Sequence, residues 1–202
     1  MGNELKCTVR FGKQTSAGKA LLETSEVLFR GDFRLKIPFA SIKSVKAVGG
    51  ELCLETANGP AVFEIGPAAE KWREKILHPK TRIEKIGLKP GAKISLIGDF
   101  DADFLAELKP LDGSVSRDKV AADSNTIFFA ADSLKELSAV AKIAKSLKGA
   151  TALWIVYPKG QKTITENDVI AAGRKTGLKD VKVVGFSATH TALKFVIPLT
   201  KR

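Results

Sequence analysis

At 202 residues, with 44% hydrophobic and 27% charged side chains, the chain has the composition of a folded globular protein and the length of two small domains. No apolar run approaches the ~20 residues that cross a bilayer, and the start "MGNELKCTVR" is neither a secretory signal nor, with Lys6, a myristoylation motif. A cytoplasmic protein with Cys7 and Cys53 reduced is therefore expected. The net charge of +11 raises nucleic acid and anionic membrane as partners, but the basic residues are spread evenly. There are 15 against 10 acidic ones up to position 85, and 18 against 12 beyond it. No dense basic cluster interleaved with aromatics marks a dedicated nucleic-acid face, which leaves a salt-sensitive affinity for polyanions.

From Lys6 to Ile65 the chain reads as short strands between turn residues. "CTVRF" alternates, with Cys7, Val9 and Phe11 on one face. "SAG" is expected to break the chain before "KALLET", and "SEVLFRG" follows. "DFRLKIPF" sets Phe33, Leu35 and Ile37 against Arg34 and Lys36, and "SIKSVKAV", "ELCLET" and "AVFEI" complete seven strands. Gly49-Gly50 and Asn58-Gly59 are the expected hairpin turns. After Gly66-Pro67 the period changes. Ile65, Ala69, Trp72 and Ile76 recur at helical spacing, with Pro67 in the first turn.

This order, with "IPFASIKSV" and the tryptophan of the closing helix "PAAEKWREKI", resembles the pleckstrin-homology-like superfold and its GRAM-type relatives over residues 5–78. The resemblance implies an all-β barrel or sandwich with one C-terminal helix. It also implies a phosphoinositide site built from basic residues around the first hairpin. Lys13, Lys19, Arg34 and Lys36 are the candidate anion-binding residues, although Leu21 stands where the pattern has another basic side chain. A peptide-binding or structural role is the alternative, because fold analogy does not carry function.

"HPKTRIEKIGLKPG" has prolines near its ends and little to pack, and reads as the boundary between domains 1–80 and 81–202. Beyond it strands alternate with helices, the sign of a parallel α/β sheet. The strands are "KISLIGD", a short "SVSRD", "NTIFFAA" and "ALWIVYPK", and "VKVVGFSA" with "TALKFVIPL" forms an antiparallel closing pair. "ADFLAELK" is a short helix. "DSLKELSAVAKIAKSLKG" reads as one long helix capped by Asp132 or Ser133, with Leu134, Leu137, Val140 or Ala141, Ala144 and Leu147 on one face. Thr165 caps a last helix that Gly177 ends.

With "GLKPG", "ALWIVYPKG" and "GFSATHTALKF" in this order, residues 86–198 resemble class I methyltransferases in reduced form. They are more similar still to an uncharacterised bacterial family of small Rossmann-like domains. The resemblance implies a three-layer α/β sandwich. It makes S-adenosylmethionine the one cofactor to consider, where the residues themselves ask for none. In that family glycines after the first strand admit the cofactor and an acid after the second holds its ribose. Here only Gly98 remains of the loop, followed by Asp99, Phe100, Asp101 and Asp103, and Asp118 stands at the ribose-acid spacing. The aspartates suit a helix N-terminus by themselves and would repel a pyrophosphate. About eight residues separate "SVSRD" from "NTIFFAA", too few for the helix, strand and helix of the full fold. Asp132 and Lys159 end later strands on the edge where α/β sheets bind ligands, and complete the candidate site with Gly98, Asp99 and Asp118.

No metal site is expected. The calcium-loop spacing starting at Asp99 lacks its glycine and puts Pro110 in the glutamate position, and His78 and His190 lie in different domains. No serine elbow or P-loop occurs. With no catalytic residue in view, the chain reads as a two-domain binding or regulatory protein with a protein partner. The alternatives are an S-adenosylmethionine-dependent methyltransferase or small-ligand-binding enzyme, and an adaptor for anionic membrane or nucleic acid.

Overall fold

The computed structural model describes residues 3–201, and the chain divides into two compact units, Met1–Lys80 and Thr81–Arg202. No helix among the described residues is long and apolar enough to cross a membrane.

In the first unit, β1 (Asn3–Phe11) and β2 (Gln14–Leu22) pair from Asn3↔Leu22 to Phe11↔Gln14. The turn is Gly12-Lys13, and the expected break at "SAG" does not occur. Gly18 sits inside β2 because β3 comes too close for a side chain: an added Cβ would lie 2.4 Å from the Arg30 carbonyl oxygen. With β3 (Glu26–Arg30), β4 (Arg34–Pro38), β5 (Ile42–Val48), β6 (Glu51–Thr56) and β7 (Gly59–Glu64) the order is β4-β3-β2-β1-β7-β6-β5. One sheet therefore holds two meanders joined at β1 and β7, and no ladder links β4 to β5. The β6–β7 turn is Ala57-Asn58, one residue earlier than expected: Thr56 pairs with Gly59, and Gly59 alone takes positive φ (105°). Core-facing side chains from both meanders meet in one cluster, so the sheet curls around them. The helix α1 (Ala68–Leu77) packs on β5 and β6 and buries Ala69, Trp72 and Ile76 there, as their spacing predicts.

The second unit begins inside the expected linker. Thr81 and Glu84 form a reciprocal capping box that starts α2 (Arg82–Ile86), and Ile86 is buried. The sheet has the order β12-β13-β11-β10-β8-β9, from β8 (Ile94–Ile97), β9 (Val115–Arg117), β10 (Thr126–Ala130), β11 (Ala152–Pro158), β12 (Lys179–Gly185) and β13 (His190–Val196). β9, β8, β10 and β11 run parallel, and β13 is antiparallel to both β11 and β12. One face packs against α2 and α3 (Ala102–Leu108) through Leu96, Phe128 and Trp154. The other packs Ile127, Phe129, Leu153 and Ile155 against α4 (Leu134–Leu137), α5 (Val140–Ala144) and α6 (Glu166–Lys175), giving three layers.

Two local expectations fail for stated reasons. The long helix after β10 is broken into α4 and α5. The Ser138 hydroxyl donates to the Lys135 carbonyl at 2.7 Å, and backbone bonds across the break run three residues back, from Ser138 to Lys135 and from Ala139 to Glu136. Across the break Leu137, Val140 and Ile143 are buried, while Leu134, expected on the same face, is 55% exposed. The return from β9 to β10 uses only residues 118–125 although it crosses β8. It is short because β9 is three residues long, and it lies directly on the strand it crosses. There Ala121 N–H donates to the fully buried Ser95 hydroxyl at 2.9 Å, and Ser124 bonds the same hydroxyl at 2.6 Å.

Candidate functional site

From β8 the chain steps outward to β9, then returns to build β10 and β11 on the other side. The crevice at such a reversal, beyond the carboxyl ends of the strands, is where open α/β sheets bind ligands. Gly98 follows β8 at φ 87°, where a side chain is strained, and an added Cβ would crowd the Ala130 carbonyl oxygen at 3.1 Å at the end of β10. Above them opens a cleft of about 660 Å³, within the range of small-molecule sites. Asp99, Phe100, Asp101 and Asp103 form one wall, Ala130, Asp132 and Val156 the floor, and Phe186 to Thr189 of the β12–β13 turn, with His190 at the start of β13, the other wall.

Arg82 reaches this cleft from the first turn of α2. Its Nε and Nη2 donate to Glu107 at 2.9 and 3.1 Å, its Nη1 and Nη2 to Asp101 at 3.1 and 3.3 Å, and Nη1 also to the Phe186 carbonyl at 3.3 Å. The guanidinium lies over both Phe104 and Phe186, 5.0 and 4.8 Å from the ring centres, where the two rings meet edge to face. All five of its N–H donors are thus committed inside the protein. Burial lowers the Arg82 pKa, but the two carboxylates outweigh it and hold the group more firmly charged than usual. For Asp101 burial acts upward, yet the Arg82 guanidinium and the Phe104 N–H together hold the carboxyl below its ordinary range. Asp101 is also the N-cap of α3, accepting from Phe104 N–H at 2.7 Å.

Asp99, Asp103 and Asp132 remain for a ligand. Asp132 lies beside His190, with Oδ1 3.5 Å from Nε2, and His190 Nδ1 lies 2.9 Å from the Thr189 hydroxyl. The Phe100 ring packs on Phe104, Phe128 and Phe186 at 5.6–6.3 Å between centres. It divides the cleft from a second hollow of about 120 Å³ that Gly98, Asp99, Arg117 and Asp118 line. Asp118 takes positive φ (60°) and its N–H donates to Leu96 O at 2.8 Å.

Of the residues expected at the cofactor site, Asp99 and Asp132 line the cleft, Gly98 and Asp118 only the small hollow. Lys159 does not join them: its ammonium donates to the Ser187 carbonyl at 2.7 Å and braces the β12–β13 turn. Of the four basic residues expected to bind anions in the first unit, Lys13 sits in the β1–β2 turn, and Lys19, Arg34 and Lys36 lie on the outer face of β2 and β4, with Lys19 paired to Glu4 at 2.8 Å and Lys36 to Glu26 at 3.2 Å. Sequence reasoning missed Arg82, Glu107, Phe186 and His190 as cleft residues. The Thr81-x-x-Glu84 capping signature was the one visible sign that the supposed linker is a helix. Among the described residues no three His, Cys, Asp or Glu side chains are grouped to hold a metal ion.

No family model and no curated protein matches the chain. Among solved structures it is similar to a TehB-like SAM-dependent methyltransferase from Corynebacterium glutamicum, at 14% identity and a TM-score of 0.37, covering 64% of this chain and 96% of that one. It is similar to a SAM-dependent O-methyltransferase from Thermotoga maritima at 9% identity and 0.40, covering 88% and 95%. A third is LepI, solved in complex with SAM, at 11% and 0.39, covering 65% of this chain and 53% of LepI, about half its length. At identities and scores this low the likenesses decide nothing about what this chain binds.

Proposed function

We propose that this chain is a non-catalytic binding protein whose second unit takes a small, positively charged ligand in the cleft at the carboxyl edge of its sheet. The observation that carries this reading is the closed hydrogen-bonding of Arg82. With every N–H of that residue committed to Asp101, Glu107 and Phe186, an anionic ligand finds no free guanidinium. A cationic one finds Asp99, Asp103 and Asp132 with the rings of Phe100 and Phe186. The carboxylates favour a cation by Coulomb attraction and repel a dinucleotide's pyrophosphate.

The test is thermal unfolding of the full chain with spermidine, S-adenosylmethionine, S-adenosylhomocysteine and NAD, repeated with Asp132→Asn. A ligand at a hundred times its Kd stabilises by about 2.7 kcal/mol, roughly ten degrees for a unit of this size. The expected order is cation above its less positive counterpart, with NAD inert and the Asp132→Asn shift reduced. An NAD shift equal to that of the cations sinks the reading.

Methyl transfer from S-adenosylmethionine is the second reading, favoured by Asp118, which comes to lie with Gly98 and Asp99 around one hollow. Its volume of about 120 Å³ is well under that of small-molecule sites. This reading requires Asp118→Asn to abolish an S-adenosylmethionine shift that Asp132→Asn leaves in place. For the first unit we propose a pleckstrin-homology-like docking module, supported by its seven antiparallel strands and by the buried Trp72 of its single C-terminal helix. The free Cys7 and Cys53 suit the cytoplasm, where we place the protein.

A further inference from the structure

The strand register of the first unit sets four cations in one line. Lys6 pairs with Lys19, Lys19 with Arg30, and Arg30 with Arg34, one on each of β1 to β4. Directly opposed residues share a face, and this is the face away from the Val9, Ala20, Val27 and Ile37 core. At 4.7–4.9 Å per strand the row is about 14 Å long, and all four side chains are exposed. Only Lys19 has an ion-pair partner among the described residues, Glu4. Like charges directly opposed destabilise a sheet, so a row of four works against the strands that carry it.

We propose that this row binds the phosphate backbone of duplex nucleic acid without reading its sequence. The row is one residue wide. One step along the strands the same face carries Glu4, Leu21, Leu28 and Lys36, and Glu26 lies beyond. A planar anionic surface laid on this face meets those carboxylates, whereas a linear chain of phosphates follows the cations alone. Arginine forks at Arg30 and Arg34 match phosphate oxygens two at a time. The outward positions of β1–β4 carry no aromatic ring on which an unpaired base would stack, which is why the duplex and not the single strand is the fit. This surface is independent of the cleft in the second unit.

The test is the affinity of the full chain for a short random-sequence DNA duplex as a function of salt. Each phosphate neutralised contributes about −0.9 to the slope of log K against log salt. Lys6, Arg30 and Arg34 therefore give about −2.7, a roughly fortyfold loss between 50 and 200 mM salt, on a micromolar-range Kd. Arg30→Gln should flatten the slope by about 0.9 and K6Q/R30Q/R34Q should abolish most of the binding. Glu4→Gln, which releases Lys19, should tighten it and bring the slope towards about −3.6. The Tm of Arg30→Gln should not fall, because it relieves like-charge opposition, and this separates lost binding from lost folding. Three results would each overturn the proposal. These are an unchanged slope in the triple variant, an equal loss on neutralising Lys71 and Lys75 on α1, or preferential binding to phosphatidylserine vesicles or polyglutamate.

Discussion

Arg82→Met tests the cleft's architecture. Methionine keeps an unbranched apolar stem against Phe104 and Phe186 and removes every charged donor. Hydrogen bonds to charged groups are each worth about 1.5–3 kcal/mol, and breaking a fully buried ion pair costs about 3–5. Arg82 is 11% exposed, but Asp101 and Glu107 are 43% and 39% exposed and regain water when it leaves, so the loss should be about 2–3 kcal/mol. For a unit spanning Thr81–Arg202, unfolding entropy near 2.1 cal/mol/K per residue turns that into a fall in Tm of about 8–12 °C. The loss should also depend on pH. The Asp101 carboxyl is held low in the folded state, so its stabilisation is complete above its unfolded pKa, about 4, and disappears as pH falls through the lower folded value. Scanning calorimetry of parent and variant should therefore show the full gap at neutral pH and a smaller one at about pH 3. A gap unchanged by acid, or a fall of less than about 2 °C at neutral pH, would refute the claim that this ion-pair cluster holds the cleft together.

Tyr157 is the chain's one tyrosine, so an alkaline absorbance titration reads it alone. Burial, and then the Glu166 carboxylate that its hydroxyl meets at 3.1 Å, push its pKa well above the ordinary value. The folded protein should show no tyrosinate through the usual range near pH 10, and Glu166→Gln should bring ionisation down. Because the folded pKa is the higher, this group's stabilisation is whole below about pH 10 and is lost as pH rises towards the folded value. Gly173→Ala should destabilise the second unit by about 1–3 kcal/mol, although alanine is the better helix former by about 1 kcal/mol. Its Cβ would lie 2.1 Å from the fully buried Phe195 ring, and a Phe195→Leu partner should recover part of the loss in a chemical-denaturation measurement.

What the sequence made legible was whatever one segment decides by itself. Phe33, Leu35 and Ile37 alternate because β4 has one wet face, and Trp72 recurs at helical spacing because α1 has one dry stripe. Thr165 heads α6 with a capping box that Asp168 completes. What stayed hidden depends on partners distant in the chain. The register that lines up Lys6, Lys19, Arg30 and Arg34 is a property of four strands together, and no single strand looks unusual. Gly18 looked like a turn residue because the approach of Arg30's carbonyl is invisible from "SAG". Arg82 looked like linker charge because Asp101, Glu107 and Phe186 lie 19, 25 and 104 positions away.

The same long-range logic explains what stands where a glycine-rich loop was expected. A nucleotide site on this kind of sheet uses the free backbone N–H groups and positive end of the helix after the first strand to hold a phosphate. Here Asp101 is already attached to that helix end: its carboxylate accepts the Phe104 N–H that a phosphate would have used, and its charge offsets the dipole. Arg82 then neutralises Asp101 without offering a donor outward. Giving this edge of the sheet phosphate affinity would therefore take more than inserting glycines. It would need Asp101 removed, which uncaps α3 and strands Arg82, so the carboxylate that caps this helix and the arginine that neutralises it act together against a phosphate here.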